Sequence, residues 1–105
     1  MNKWILHIEG GVVLAFTIYF YSEQQFSWLL FLILLLAPDL AALAYLVNKK
    51  FGAVCYNIAH TYALPGLLLF LSIIFEQPIL LLISFIWIAH IGMDRLFGFN
   101  LKELP

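Results

Sequence analysis

Four long apolar stretches, separated by three short polar breaks, make up nearly all of the chain. The breaks lie at residues 22–25, 48–50 and 76–77. The apolar stretches cover about residues 4–22, 27–47, 52–75 and 78–98, and each has the roughly 17–25 residues with which a helix crosses a bilayer. Connections this short make consecutive helices antiparallel. The pattern therefore predicts one all-α domain over residues 1–105, a polytopic transmembrane four-helix bundle with up-down-up-down topology.

Composition agrees with a membrane protein and excludes an ordinary soluble domain. Hydrophobic residues make up 65% of the chain and charged residues 10%, against roughly 45–50% and about 25% in soluble domains. The net charge of −1 gives no sign of nucleic-acid binding. The lipid bilayer is the predicted partner. A homo-oligomer is a further expectation, because four short helices enclose little volume.

The positive charges predict the orientation of the bundle. The five cations are Lys3, Lys49, Lys50, Arg95 and Lys102. With four crossings they all fall on one side of the membrane, and the two other loops contain no Lys or Arg. Cytoplasmic loops carry an excess of Lys and Arg, so both termini are predicted to be cytoplasmic.

Several polar residues lie inside the predicted spans, where a charged side chain costs about 2.5–3.5 kcal/mol at the helix centre. They are Glu9, Asp39, Asn57, His60, His90 and Asp94. Counted from the cytoplasmic ends of their spans, Asp39, His60 and His90 all lie eight residues deep, or roughly 12 Å at the rise of an α-helix. Antiparallel helices would bring these side chains to one level.

Spacing along the helices supports a cluster at that level. His90 and Asp94 are four residues apart and Asn57 and His60 three apart, so each pair would share a helix face. Pro38 and Pro65 each remove a backbone hydrogen bond, which predicts free carbonyls near Leu34 and Thr61. We expect Asp39, His60, His90 and Asp94 to form the cluster, with Glu9 and Asn57 as additional or outer members.

Short motifs link the chain to a known family. They are Glu9-Gly10, Pro38-Asp39-Leu40, the segment Y-N-I-A-H-T-Y at 56–62 and the segment H-I-G-M-D-R at 90–95. On these motifs the chain resembles an uncharacterised bacterial family of small four-helix integral membrane proteins, a domain of unknown function. The resemblance implies the bacterial cytoplasmic (inner) membrane as location and brings no established activity.

Three functions fit the predicted cluster. Two imidazoles and the carboxylates converging from four helices are typical of a metal centre, and this donor set suits Zn, Fe or Mn. Such a centre can activate water for hydrolysis of a membrane-embedded, small or lipidic substrate. Alternatively, the titratable groups belong to a proton or ion relay or transporter component, or the polar network is purely structural. No phosphate-binding loop, nucleophile motif or cofactor fingerprint is recognisable, so catalytic residues stay unassigned.

Overall fold

The computed structural model describes residues 3–99, 101 and 102, so the outermost terminal residues, predicted to be cytoplasmic, lie outside the described part. Six helical elements follow one another in this described part of the chain. They are α1 (Lys3–Glu23), α2 (Trp28–Leu34), a 3₁₀ helix (Ala37–Leu46), α3 (Lys49–Ala59), α4 (Ala63–Ile74) and α5 (Pro78–Leu96).

These elements form four segments that are long and apolar enough to cross a membrane. They are span one (Trp4–Glu23), span two (Trp28–Leu46), span three (Lys49–Ile74) and span four (Pro78–Leu96). Spans one and four are single helices. Span two consists of α2 and the 3₁₀ helix, and span three consists of α3 and α4. The prediction of an all-α, multi-pass membrane protein with four helical spans is confirmed.

The ends of the spans carry ordinary capping and turn residues. The side chains of Ser27 and Asn48 accept backbone hydrogen bonds at the starts of α2 and α3, which satisfies N–H groups that the helices cannot. Pro78 occupies the first turn of α5, where no N–H is needed. Gln25 and Glu76 have φ of 56° and 52°, so the turns before spans two and four are tight. All five positions lie in or near the predicted breaks.

Helix α5 is the central element of the bundle. It packs against α1 along one side and against α4 along another, while the 3₁₀ helix packs against α3. Seven of its residues, from Leu82 to Gly92, are buried. Helices α1 and α5 cross at Gly10 and Gly92: a Cβ on Gly10 would lie 2.6 Å from the Gly92 carbonyl oxygen. Small residues at a crossing allow this close approach.

The helical path of spans two and three is interrupted inside the membrane. Span two changes from α to 3₁₀ geometry between Leu34 and Ala37, beside Pro38. Span three is broken between Ala59 and Ala63, two residues before Pro65. The two interruptions lie beside the two prolines, whose rings cannot complete an α-helical hydrogen-bond ladder. Free carbonyls were predicted there from the sequence, but the interruptions were not. Irregular backbone at membrane depth is tolerated where protein covers it or where it lines a cavity. Each interruption lies next to one of the predicted cluster residues.

Candidate metal centre

Three different elements bring the candidate side chains together. Asp39 is the third residue of the 3₁₀ helix, and His60 immediately follows the last residue of α3. His90 and Asp94 lie one turn apart on α5. One donor atom from each of these four residues lies within 4.8 Å of the other three. The structure thus unites residues that are up to 55 positions apart in sequence (94 − 39).

The two histidine Nε2 atoms form the middle of the cluster and lie 3.1 Å apart. His60 Nε2 lies 3.0 Å from Asp39 Oδ1 and 3.4 Å from Asp94 Oδ2. His90 Nε2 lies 3.2 Å and 3.1 Å from the same two oxygens. Ligand atoms placed tetrahedrally at 2.0–2.2 Å from a metal are about 3.3–3.6 Å from one another. The five distances that involve a histidine nitrogen, 3.0–3.4 Å, are close to the edges of such a tetrahedron, and the two carboxylate oxygens lie within 4.8 Å of each other.

The backbone of α3 determines which nitrogen of His60 faces the cluster. His60 Nδ1 lies 2.8 Å from the Tyr56 carbonyl oxygen. A carbonyl only accepts, so Nδ1 carries the proton and donates it in this bond. In the neutral imidazole, Nε2 then has a free lone pair directed at the other three donor atoms. This is the arrangement in which histidine binds metals, its second nitrogen held by a hydrogen bond.

The Tyr56 side chain holds the same imidazole from one face. The two rings are stacked with centroids 3.9 Å apart and an angle of 9° between their planes. This contact was not predicted from the sequence. The signal that could have identified the role of Tyr56 is its spacing of four residues from His60, which places the two on one helix face.

His90 is fully enclosed by the bundle. Its side chain is 0% exposed, and its ring packs edge-on against His60. Within the described residues, His90 Nδ1 has no hydrogen-bond partner. Trp87, one turn earlier on α5, donates its indole N–H to the Ala59 carbonyl oxygen at 2.6 Å. The Ala59 carbonyl has no helical N–H partner among the described residues, because α3 ends there. The Trp87 indole therefore supplies the hydrogen bond that the break in span three removes.

A second side chain, that of Arg95, bonds a backbone carbonyl at the break in span three. The Arg95 guanidinium donates to the His60 carbonyl oxygen at 3.5 Å and lies 5.3 Å from the centroid of the Tyr62 ring. The carbonyls that Trp87 and Arg95 reach are those of Ala59 and His60, just before the predicted position at Thr61. Both contacts stabilise the backbone that positions His60.

Access to the cluster is uneven. The His60 and Asp94 side chains are 4% and 13% exposed, whereas 49% of the Asp39 side chain is exposed. Asp39 therefore forms the open side of an otherwise buried group. Anything that reaches the histidine nitrogens from outside would pass this carboxylate.

The two remaining candidate residues lie away from the four-residue cluster. Glu9 is exposed and lines a separate groove of about 280 Å³ with Tyr62 and Arg95. The Asn57 side-chain amide makes two hydrogen bonds of 2.7 Å with the backbone of Lys102, one as donor and one as acceptor. Asn57 thus binds the chain after α5, and the ammonium of Lys102 lies 5.0 Å from the centroid of the Tyr56 ring.

Comparison with known proteins identifies the family. Residues 3–104 match the family model described as a domain of unknown function, DUF4260. The chain belongs to this family, which confirms the expected resemblance. No curated protein and no solved structure matches the chain. Its function therefore has to be argued from the geometry of the site.

Proposed function

We propose that this protein is a metal-dependent hydrolase of the membrane, with a divalent cation held by Asp39, His60, His90 and Asp94. The observation that carries the proposal is the 3.1 Å distance between the Nε2 atoms of the two histidines, flanked by two carboxylate oxygens. The tautomer of His60 directs a lone pair into this group. Four acceptor atoms that converge on one point are satisfied together by a cation.

Protons alone satisfy the cluster less well than a cation does. If both imidazoles were protonated, two N–H groups would face each other at 3.1 Å. If the two Nε2 atoms shared one proton, the two carboxylates would have only one N–H hydrogen-bond donor between them. Carboxylates without a compensating charge are costly in a region of low dielectric constant, above all that of Asp94, whose side chain is 13% exposed. A divalent cation balances the two negative charges of the carboxylates and can be coordinated by all four ligand atoms.

The donor set suggests which metals fit. Two imidazole nitrogens and two carboxylate oxygens suit Zn, Fe or Mn. The only cysteine of the chain, Cys55, is not among the four residues, so thiolate chemistry is not part of the site.

The exposed side of the centre favours hydrolysis. A cation bound there would supply a Lewis acid and lower the pKa of a bound water. Asp39 lies where water and substrate would enter, because half of its side chain is exposed. His60, His90 and Asp94 are held by surrounding helices and would keep the centre in place. The substrate would arrive from the bilayer, since apolar helices surround the site.

Contacts elsewhere in the bundle give less support to a proton or ion relay. Ser72 and Ser84 lie in the outer halves of spans three and four, and each hydroxyl donates to a carbonyl of its own helix at 2.6 Å. Within residues 3–99, 101 and 102, no chain of titratable groups continues from the cluster across these halves. A purely structural network would not need four ionisable groups, whose mispairing is expensive.

We further propose a location in the bacterial cytoplasmic membrane with both termini in the cytoplasm. The five positive charges at one end of the four spans support this orientation. The site would then lie near the cytoplasmic face. Association of several copies stays a prediction.

The metal content of the purified protein tests the proposal. We expect about one equivalent of Zn, Fe or Mn in the wild type, and its loss in His60→Ala and His90→Ala. His7→Ala is the matched control, because His7 binds the Leu96 carbonyl and does not belong to the cluster. Sub-stoichiometric metal that survives in both cluster variants would refute the metal centre.

A further inference from the structure

An apolar groove lies between spans two and four and has a volume of about 330 Å³. Its walls are Leu34, Ala37 and Pro38 from span two and Ile83, Ile86 and Trp87 from α5. The groove forms where span two passes from α2 into the 3₁₀ helix. The one polar atom among these side chains, the indole nitrogen of Trp87, is already bonded to the Ala59 carbonyl. The groove therefore offers only apolar side-chain surface.

Two residues that line this groove are close in sequence to residues of the metal centre. Pro38 directly precedes Asp39, and Trp87 lies three residues before His90 on the same helix. From there the lining continues back along α5 to Ile83, seven residues or about 10 Å from His90. Because Ile83, Trp87 and His90 are spaced by four and three residues, the α5 wall of the groove and His90 share one helix face.

Shape and chemistry together define the occupant. Ligand pockets of 300–1,000 Å³ are usually apolar with a few polar groups at one place, and this groove lies at the lower limit of that range. A 10 Å length of a helix that is about 10–12 Å in diameter with its side chains occupies roughly 800–1,100 Å³, more than twice the groove's volume of about 330 Å³. A single hydrocarbon chain fits, provided that its polar group lies at Asp39.

We propose that the groove binds the acyl chain of a single-chain acyl ester, a monoacyl lipid, and places its ester group at the metal centre. This inference rests on the proposed hydrolase function and names its substrate class. The ester carbonyl is the group that a Lewis acid polarises. Hydrolysis adds one water: its hydroxyl joins the acyl carbon, the single bond from that carbon to the alcohol oxygen breaks, and the proton goes to that oxygen. The products are a fatty acid and an alcohol.

Photolabelling tests the groove without requiring turnover. The full chain is reconstituted in phospholipid nanodiscs with a monoacylglycerol that carries a diazirine in the middle of its acyl chain. Labelled peptides are identified by mass spectrometry, and the metal content of each sample is measured in parallel. Ile83→Trp and Ala37→Phe fill the groove from its two walls. Ile79→Trp is the matched control, one turn away on α5, exposed and outside the lining.

We expect the label on the groove residues of the metal-containing wild type. Both filling variants should lower this labelling by about tenfold, because the larger side chain occupies the volume that the acyl chain would fill. Ile79→Trp should label like the wild type, and all variants should retain metal. If Ile83→Trp does not fold, Ala37→Phe gives the same comparison from the other wall.

Three results would overturn the inference. Label spread evenly over the lipid-facing residues, or unchanged in the filled variants, would show that the groove holds no specific chain while the metal centre stands. Cross-links between two copies through the groove would identify a second copy as its occupant. A wild type without metal would remove the proposed function, and the substrate class with it.

Discussion

The Tyr56 carbonyl oxygen accepts a hydrogen bond from His60 Nδ1 at 2.8 Å, while the Tyr56 ring stacks on the same imidazole at 3.9 Å. One residue thus fixes both the tautomer and the plane of His60. The Tyr56 carbonyl oxygen also accepts the His60 backbone N–H at 3.0 Å, so its second lone pair takes the bond from the imidazole. The stacking follows from the spacing of four residues. The position of the Nε2 lone pair is therefore determined before any ligand arrives.

Removing the Tyr56 ring should weaken metal binding without abolishing it. In Tyr56→Leu the backbone bond remains, but the imidazole loses the ring that holds its plane. Changes to groups that orient a ligand typically lower metal affinity 10–100-fold, and we expect about tenfold here because the hydrogen bond persists. Competition with a chromophoric chelator measures this affinity. Tyr56→Phe keeps the ring and should behave like the wild type; equal affinity in Tyr56→Leu would show that stacking does not position His60.

Metal retention should depend on pH, since protons compete with a cation for the histidine nitrogens. Both Nε2 atoms must be unprotonated to bind, so the metal is held at high pH and released as the pH falls from about 8 to about 5. Each competing proton lowers the apparent affinity by up to about tenfold per pH unit, or about 100-fold for two histidines. Dialysis at stepped pH followed by elemental analysis gives the profile.

A variant outside the cluster separates this effect from general unfolding. Glu9 is exposed and lies away from the four donor residues. Glu9→Gln should therefore release metal over the same pH range as the wild type. Metal content that stays constant across the whole range would contradict binding through histidine.

Run length and charge distribution were sufficient to predict the four spans, because the bilayer imposes length and apolar character on each of them. Counting residues from the span ends also predicted that Asp39, His60 and His90 reach one level. The 3₁₀ geometry of Ala37–Leu46 was not predicted. It rises about 2.0 Å per residue instead of 1.5 Å, so the depth assigned to Asp39 was only approximate.

Asn57 and Glu9, the two expected outer members of the cluster, show what helical periodicity could not predict. Asn57 lies three positions and Tyr56 four positions before His60, and both spacings fit a shared helix face, yet it is the Tyr56 ring that stacks on the imidazole. Asn57 instead binds Lys102, a contact across 45 positions that no periodicity signals. On α1, Gly10 faces α5 at the helix crossing. The preceding Glu9 points about 100° away from it at 3.6 residues per turn.

The glycine crossing of α1 and α5 should be sensitive to a single methyl group. In Gly10→Ala the new Cβ would lie 2.5 Å from Arg95 Cβ and 2.6 Å from the Gly92 carbonyl oxygen, and backbone atoms cannot move aside as a flexible side chain would. We expect a loss of about 1–3 kcal/mol in unfolding free energy, measured by denaturation in mixed micelles. Gly66→Ala is the control, since nothing lies within 4 Å of its Cβ position. Equal stability of the two variants would show that α1 and α5 separate easily.

The proposed orientation can be checked with single cysteines in a Cys55→Ser background. Gln25→Cys and Gln77→Cys lie in the turns before spans two and four, and Leu101→Cys lies after α5 on an exposed residue. If the cationic end is cytoplasmic, a membrane-impermeant maleimide added outside the cytoplasmic membrane should label the first two in intact spheroplasts. Leu101→Cys should react only after permeabilisation. The opposite labelling pattern would show that the cationic end of the bundle lies outside. The exposed Asp39 side of the centre would then lie near the outer face of the membrane.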